Sequence, residues 1–389
     1  MSLLNRLQEF TKQHATMDAD SMAPLGALIK HLYSATEGSI MGRRTILVGT
    51  NNYLGLTFDN QCINASHQAT RTYGTGTTGS RLANGSYAGH QELEQELAAF
   101  YGVSHSIVFS TGYTANLGMI SALVSKGDTI MLDEHCHASI YDGCRHNNAA
   151  DLDKRLKRLG EKASATLIIV EGIYSMLGDR GNLKEIVAVK QKYDALLLVD
   201  EAHSLGVLGD SGRGLSQESG VEEHVDFITG TFSKSLAGIG GFCVSQHPEL
   251  EVIRYTSRPY IFTASPSPGT IASTRTALGI IASNPALREQ LWENANRLYA
   301  GLKSMGYELS PEVSPVIAVN VGERDDALAI WKKLFDRGIY VNLVMPPATP
   351  NRKCLLRCSV SAAHTHAQLD VVLDAFASLQ PSVVKEQLA

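Results

Sequence analysis

Short strands that are apolar along their whole length alternate with helical segments from about residue 45 onward. The apolar runs are SIVFS (106–110), TIMLD (129–133), TLIIVEG (166–172), ALLLVDEAH (195–203) and FITGTFSK (227–234). Helical patterns over 90–102 and 183–194 lie between some of them. A strand that is apolar on both faces must be covered on both faces, so the pattern predicts a mostly parallel sheet between layers of helices. The predicted fold class is therefore α/β.

The chain of 389 residues is longer than a single hydrophobic core supports, so more than one domain is expected. After about residue 258 a Pro-rich stretch leads into a long helix and three strand candidates, at 314–321, 338–344 and 354–360. This change of texture predicts a smaller α+β domain. The predicted division is an N-terminal helical segment (1–42), a large α/β domain (43–257) and the small domain (258–389).

The composition limits the partners and the compartment. A net charge of −5 gives no basic footprint for nucleic acid, so a small-molecule partner is expected. No apolar run reaches bilayer length and no signal-peptide pattern occurs. The sequence leaves peripheral membrane contact open, since that needs only a modest apolar or basic surface patch. Six scattered cysteines without a CxxC pair predict reduced thiols. The expected location is the cytoplasm.

Three polar residues follow two neighbouring apolar runs. Asp200 and His203 end one run, and Lys234 ends the next, before the glycine-rich AGIGGF. In α/β sheets ligands bind at the carboxyl ends of strands. A pyridine cofactor needs an acid at the ring nitrogen, a donor near the phenolic oxygen and a lysine that forms an imine. The three residues match those needs, whereas a helix cap and a solvated lysine explain them poorly. The prediction is pyridoxal phosphate held on Lys234.

A phosphate site is predicted where the strand SIVFS turns into a helix, over residues 110–116. Exposed backbone N–H groups at a helix start bind phosphate, and here Gly112 and Tyr113 offer them. Thr231 and Ser233 add hydroxyl groups from another strand end. Many similar turns bind nothing, so the motif alone leaves both interpretations open.

His137 and Arg357 are two further candidates. His137 follows the TIMLD strand, where it can stack on a cofactor ring or serve only as a structural histidine. A metal pair with His135 is disfavoured. No metal site is predicted. Arg357 interrupts a strand of the small domain; it suits a carboxylate clamp, but an ordinary ion pair explains it equally well.

Taken together, these segments resemble the α-oxoamine synthases, a branch of the fold-type I pyridoxal phosphate enzymes. The matching segments are GTGTTGSR, ANGSYAGHQELE, STGYTANLG, HASIYDG, VDEAHSLGVLG and GTFSKS, and the likeness runs from NNYLGL (51–56) to HTHAQLD (364–370). The resemblance implies a fold-type I transferase that joins an amino acid to an acyl-CoA thioester, loses CO2 and releases an aminoketone.

Three segments narrow the implied substrates: EGIYSMLGD (171–179), RPYIFTAS (258–265) and YVNLVMPPATP (340–350). They are similar to family members that condense L-serine with palmitoyl-CoA to 3-oxosphinganine, the first step of sphingolipid synthesis. One alternative keeps the chemistry but uses glycine, alanine or another acyl-CoA. A second is a non-catalytic partner subunit, which retention of Lys234 disfavours. A third is transamination or aldol cleavage on the same fold.

The resemblance also implies roles for the residues already singled out. Lys234 forms the Schiff base and removes the Cα proton, and His137 stacks on the ring. Asp200 pairs with the pyridine nitrogen and His203 contacts the phenolic oxygen. The phosphate is held by Gly112, Tyr113, Thr231 and Ser233.

For the substrate and the partner subunit, the resemblance implies three more roles. Thr263 reaches the phosphate of the neighbouring subunit, so the enzyme is expected to be a homodimer; Asn52 lies near the substrate and Arg357 binds its carboxylate. Two departures stand out. Met345 occupies the position before PPATP where relatives carry an arginine, which leaves Arg357 as the main clamp. The junction Cys144–Arg145 is about one strand shorter than in relatives.

Overall fold

The structure is a computed structural model, and it describes residues 4–6, 8–9, 24, 26–133, 135–140, 149–346, 348–349 and 353–379. The strands of this part are β1 Ile29–Leu32, β2 Glu37–Ile40, β3 Arg43–Leu47, β4 His105–Phe109, β5 Thr129–Leu132, β6 Thr166–Glu171, β7 Leu196–Asp200, β8 Phe227–Thr231, β9 Gly241–Ser245, β10 Val316–Gly322, β11 Ile339–Tyr340, β12 Asn342–Val344 and β13 Cys354–Ser359.

Helices cover both faces of the largest sheet and surround the smaller ones. They are α1 Asn60–Tyr73, α2 Ala88–Tyr101, α3 Gly112–Leu123, α4 Ala149–Leu159, α5 Leu183–Tyr193, α6 Leu215–Glu218, α7 Leu250–Thr256, α8 Arg258–Ile261, α9 Pro268–Ser283, α10 Ala286–Ser304, α11 Arg324–Asp336 and α12 His366–Ala377. None of the described helices is both long and apolar enough to cross a membrane.

Six strands form the central sheet in the order β4-β9-β8-β7-β6-β5. Strands β5, β6, β7 and β8 are parallel neighbours. Successive side chains of β6 enter opposite apolar clusters, Leu167 and Ile169 on one face and Ile168 and Val170 on the other. This alternation buries both faces of the sheet, as the uniformly apolar runs predict. The prediction of a mostly parallel α/β sheet is confirmed.

One strand of this sheet was not predicted from the sequence. The stretch around AGIGGF contributes β9, which runs antiparallel to both β4 and β8. Its glycines have no side chains to form an apolar strand pattern, but they allow the backbone to pack closely against its neighbours. A Cβ on Gly241 would lie 2.5 Å from the carbonyl oxygen of Thr111, so only glycine lets β9 approach the turn before α3.

The prediction of a helical N-terminal segment through residue 42 is wrong for residues 29–40. These residues form the antiparallel pair β1–β2, and β2 continues into β3 through a tight turn. Met41 and Gly42 have positive φ values of 50° and 80°, which suit the two-residue turns that join hairpin strands. The helical pattern of the first residues ends before that turn; residues 4–6 and 8–9 are helical.

The C-terminal strands build two further sheets. One has the order β10-β13-β12, and the other joins the N-terminal strands to β11 in the order β1-β2-β3-β11. The predicted strand 338–344 is thus divided between two sheets. The domain boundaries stay a prediction, but packing crosses them: Leu47 belongs to the C-terminal apolar cluster, and Ile271 of α9 packs with the large sheet.

Candidate active site

A cavity of about 250 Å³ lies at the carboxyl ends of the parallel strands. It is lined by Thr111, Gly112, Tyr113, Asn116, His137, Ser139, Glu171, Asp200, Ala202, His203, Thr231, Ser233, Lys234, Ile239 and Gly240. Eight of the predicted site residues are in this set. The topology explains their meeting, because β6, β7 and β8 end side by side and the turn into α3 closes the same edge.

Lys234 follows β8 and lines the cavity. Its Nζ makes no hydrogen bond or ion pair with any residue that the structure describes. Burial lowers the pKa of Lys234 to about 8, although the charges of Asp200 and Glu171 act in the opposite direction. About half of this amine is unprotonated near pH 8, a far larger fraction than for an exposed lysine, which suits a nucleophile or a base.

Asp200 ends β7 and is held in place from two sides. Its Oδ2 accepts a hydrogen bond from Nδ2 of Asn116 at 2.7 Å, and its Oδ1 accepts one from the backbone N–H of Ala202 at 2.9 Å. Asn116 is fixed in turn, since its Oδ1 accepts from the hydroxyl of Thr229 at 2.7 Å. The carboxylate therefore has one orientation, as an acid facing a protonated ring nitrogen requires.

His203 is buried in the floor of the cavity, with 6% of its surface exposed. Its Nδ1 lies 2.7 Å from the hydroxyl of Tyr53. Burial, with the charges of Lys234 and Arg357, lowers the pKa of His203 well below the usual value. The imidazole is neutral at physiological pH, and because Nδ1 is taken by Tyr53, Nε2 is the ring nitrogen left for a ligand.

His137 stands at the more open side of the cavity. The backbone N–H of Ser139 donates to its Nδ1 at 3.1 Å, so that nitrogen acts as an acceptor and the ring proton lies on Nε2. Burial also lowers the pKa of His137. His135 lines no part of this cavity.

The start of α3 offers an anion site. The helix begins at Gly112, so the N–H groups of Gly112 and Tyr113 have no intrahelical acceptor. A Cβ on Gly112 would lie 2.8 Å from the Cβ of Thr231, so glycine leaves room at this cradle. The hydroxyls of Thr231 and Ser233 are 2.9 Å apart beside it. These groups suit a phosphate monoester.

Three predicted residues lie outside this cavity lining. Arg357 is buried and donates from Nε to the carbonyl of Ser175 at 2.6 Å, and from Nη1 to Asn51 and Ser359. Nε and Nη1 are thus engaged by the chain itself, so a carboxylate would be reached through Nη2. Asn52 is half-buried, and its Nδ2 donates to the hydroxyl of Thr57 at 2.8 Å.

Thr263 lies in an exposed segment beside the phosphate cradle. The carbonyl of Ala264 accepts a hydrogen bond from the hydroxyl of Ser110 at 2.5 Å, and 74% of the Phe262 surface is exposed. Within the described chain Thr263 does not reach the cavity. Met345 packs at the edge of the C-terminal apolar cluster, whereas the Cys144–Arg145 junction falls outside the described residues.

Four residues that position the site were given no individual role from the sequence: Tyr53, Ser139, Glu171 and Asn116, the last of which lies within the predicted phosphate segment 110–116. Two had a readable signal. Asn116 is four residues after Gly112 on the same helix, and Glu171 ends the strand beside the one that carries Asp200. Tyr53 and Ser139 had no such signal. Tyr53 contacts His203, which is 150 residues away in sequence, and Ser139 contacts His137 within a loop.

The comparisons with known proteins agree with this geometry. The family model for aminotransferase class I and II matches residues 43–376. The chain belongs to this family. The serine palmitoyltransferase of Caulobacter vibrioides is 56% identical over 358 residues, covering 90% of this chain and 89% of that protein. The Sphingomonas paucimobilis serine palmitoyltransferase is 48% identical over 92% of this chain and 88% of its own length.

Solved structures match over nearly the whole chain. A serine palmitoyltransferase with bound pyridoxal phosphate has a TM-score of 0.95 at 45% identity, covering 98% of this chain and 99% of that one. The Sphingomonas wittichii serine palmitoyltransferase has a TM-score of 0.94 at 47% identity, with the same coverage. The predicted fold-type I architecture and family are confirmed. A cavity with a free lysine, a fixed carboxylate and a phosphate cradle fits the cofactor of those relatives.

Proposed function

We propose that this chain is a serine palmitoyltransferase, which uses pyridoxal phosphate to condense L-serine with palmitoyl-CoA and releases 3-oxosphinganine, CoA and CO2. The main support for this proposal is one cavity whose lining includes Lys234, Asp200, His203 and His137. The chain that forms it is 56% identical to an enzyme of that name. The relative named 8-amino-7-oxononanoate synthase in Thermoanaerobacter pseudethanolicus is only 36% identical, which favours serine over other amino acids.

When bound, pyridoxal phosphate supplies an electron sink that stabilises a carbanion at the amino-acid Cα. Lys234 would hold it and, once released by the substrate, accept the Cα proton at Nζ. Asp200, fixed by Asn116, keeps a proton on the facing ring nitrogen. Neutral His203 offers Nε2 to the phenolic oxygen.

The substrate is oriented by groups at the open side of the cavity. His137 presents the Nε2 proton towards the bound amino acid, and Nη2 of Arg357 is the nitrogen left to bind its carboxylate. Holding the carboxylate would restrict rotation of the bound amino acid and so present its Cα–H bond, and not its carboxylate, to the group that accepts the proton. That orientation selects loss of the Cα proton first, and CO2 leaves only after the acyl group has been joined.

The proposal includes a homodimer, in which Thr263 reaches the phosphate of the neighbouring subunit. Exposed apolar side chains near the cradle support it, since Tyr113, Ile239 and Phe262 are 52%, 65% and 74% exposed. The five described cysteines are free and buried, which supports a reducing, cytoplasmic setting. Peripheral membrane contact stays a prediction.

The test follows CO2 from L-serine labelled in its carboxyl group. We expect label release only when palmitoyl-CoA is present, and none from Lys234→Ala. Lys126→Ala, which changes an exposed lysine outside the cavity, serves as the matched control and keeps wild-type release. Release without acyl-CoA, or activity retained in Lys234→Ala, would overturn the proposal.

A further inference from the structure

The hydroxyl of Tyr53 joins two functional groups that approach the cavity from different parts of the chain. Tyr53 is fully buried, and its hydroxyl lies 2.7 Å from Nδ1 of His203 and 3.4 Å from Oδ1 of Asn51. The same Oδ1 accepts from Nη1 of Arg357 at 3.0 Å. A continuous chain therefore runs from Arg357 through Asn51 and Tyr53 to His203.

We propose that Tyr53 is a positioning residue whose hydroxyl donates to Nδ1 of His203 and so keeps the imidazole proton on Nε2. A tyrosine hydroxyl has a single proton to donate. The contact with His203 is shorter than the one with Asn51, which already accepts a hydrogen bond from Arg357. Arg357, which also interacts with this hydroxyl, can only donate. The short contact takes the proton, and the nitrogen available to the cofactor becomes a donor.

The electrostatics of the site explain why the position of the proton on His203 matters. Burial lowers the pKa of His203 well below its usual value, so the ring carries one proton that either nitrogen could hold. Burial raises the pKa of Tyr53, which stays a phenol at all physiological pH values. Without an outside donor at Nδ1, nothing described in the cavity wall fixes the tautomer. A bare Nε2 would repel an anionic phenolic oxygen instead of stabilising it.

The inference rests on the proposed function, because it needs pyridoxal phosphate in the cavity. Its readout is the pH midpoint of the visible absorption of the bound cofactor, measured without serine or acyl-CoA. Several charged groups set that midpoint. Asp200, Glu171 and Arg357 act on Lys234, and Lys234, Arg357 and His137 act on His203. Tyr53→Phe leaves all of these side chains in place and removes one hydroxyl.

We expect Tyr53→Phe to raise that midpoint by about one pH unit, the scale of one hydrogen bond to a charged group. The direction follows because a donor at the phenolic oxygen favours the deprotonated form, so its loss favours the protonated one. The matched control is Tyr101→Phe. Tyr101 is also buried in the large apolar cluster, but its hydroxyl has no hydrogen-bond partner among the described residues. We expect no shift there.

A second variant separates tautomer control from loosening of the site. In Asn51→Ala, Nδ1 of His203 becomes the sole acceptor near the Tyr53 hydroxyl, so the midpoint stays at the wild-type value. The KM for serine rises, because Arg357 loses one of its holding partners. Thermal unfolding shows whether Tyr53→Phe folds. If it does not, the pH midpoint of cofactor absorption in Asn51→Ala still tests the proposal.

Three outcomes are decisive. A midpoint raised in Tyr53→Phe alone supports the positioning role. An unchanged or lowered midpoint in folded Tyr53→Phe, or a rise in Asn51→Ala, overturns that role and leaves the proposed function standing. Wild-type protein without cofactor absorption would overturn both.

Discussion

Glu171 and Asp200 are register partners on the parallel strands β6 and β7, so two carboxyl groups lie side by side in one cavity. Burial, reinforced by the charge of Asp200, raises the pKa of Glu171 well above its usual value. The buried Glu171 carboxyl therefore binds a proton more readily than an exposed glutamate does. Its carboxyl also accepts a hydrogen bond from the backbone N–H of His137, which fixes the loop after β5.

This pairing gives Glu171 a pH-dependent cost to stability. A raised folded pKa means that its contribution is complete below the unfolded value of 4.5 and is lost as the pH rises towards the folded pKa. Gln in place of Glu171 avoids that loss. We expect Glu171→Gln to raise the unfolding temperature of the cofactor-free protein at pH 8 by about 1–2 °C, since about 1 kcal/mol corresponds to about 1 °C for a chain of this length.

The matched control for that experiment is Glu94→Gln. Glu94 is a buried carboxylate paired with Arg81 at 2.8 Å and with Arg254 at 3.0 Å. Removing its charge leaves two guanidinium groups without their shared partner, so we expect a lower unfolding temperature. A Glu171→Gln protein that melts below wild type at pH 8 would show that Glu171 is ionised in the fold.

Asn116 is expected to matter for catalysis through Asp200. Asn116→Ala removes the 2.7 Å hydrogen bond to Oδ2 and leaves the Thr229 hydroxyl without its acceptor. A hydrogen bond to a charged group contributes about 1.5–3 kcal/mol, so we expect kcat to fall about 10- to 100-fold. Asn296→Ala, on an exposed turn of α10, should leave steady-state kinetics unchanged. Equal rates for both variants would remove Asn116 from the site.

The pKa of Lys234, lowered to about 8 mainly by burial, predicts unusual reactivity of the cofactor-free protein. Only the neutral amine reacts, and its fraction rises as the pH passes the pKa. Competitive labelling with acetic anhydride, resolved by peptide mass spectrometry, should give a half-maximal rate near pH 8 for Lys234. Exposed lysines have pKa values of about 10.4 and continue to gain reactivity. The same high midpoint for Lys234 would contradict the buried amine.

Arg357→Lys tests the carboxylate clamp. A lysine cannot keep the contacts with Ser175, Asn51 and Ser359 and still present a donor to the substrate. We expect the KM for serine to rise about tenfold or more, with a small change in the KM for acyl-CoA. Arg337→Lys, at an exposed position after α11, is the matched control. A larger effect on acyl-CoA than on serine would place Arg357 elsewhere in the reaction.

Much of this site was predictable because it depends on strand ends. Lys234, Asp200 and Gly112 each follow an apolar run, and parallel topology brings such positions together whatever the details of packing. Tyr53 was not predictable in the same way. It meets His203 across 150 residues, and only the folded arrangement of the segment before α1 creates that contact.

The fold shows the same division. Apolar runs identified β4 to β8, whereas β9 was missed because its glycines serve close contacts and carry no strand pattern. The N-terminal pair β1–β2 was not predicted, because all of β1 is exposed and its sequence therefore shows no alternation of buried apolar and exposed polar side chains. Buried strands are recognisable from their apolar residues, whereas an exposed edge strand has no such pattern in its sequence.

The central claim is tested most directly by the mass of the product that the purified enzyme forms from palmitoyl-CoA and each of L-serine, glycine and L-alanine in competition. The account predicts that the product is 3-oxosphinganine, made from serine, with the serine carboxyl group lost as CO2. A product built from glycine or alanine in preference to serine, or no acyl product with any of the three, would contradict it.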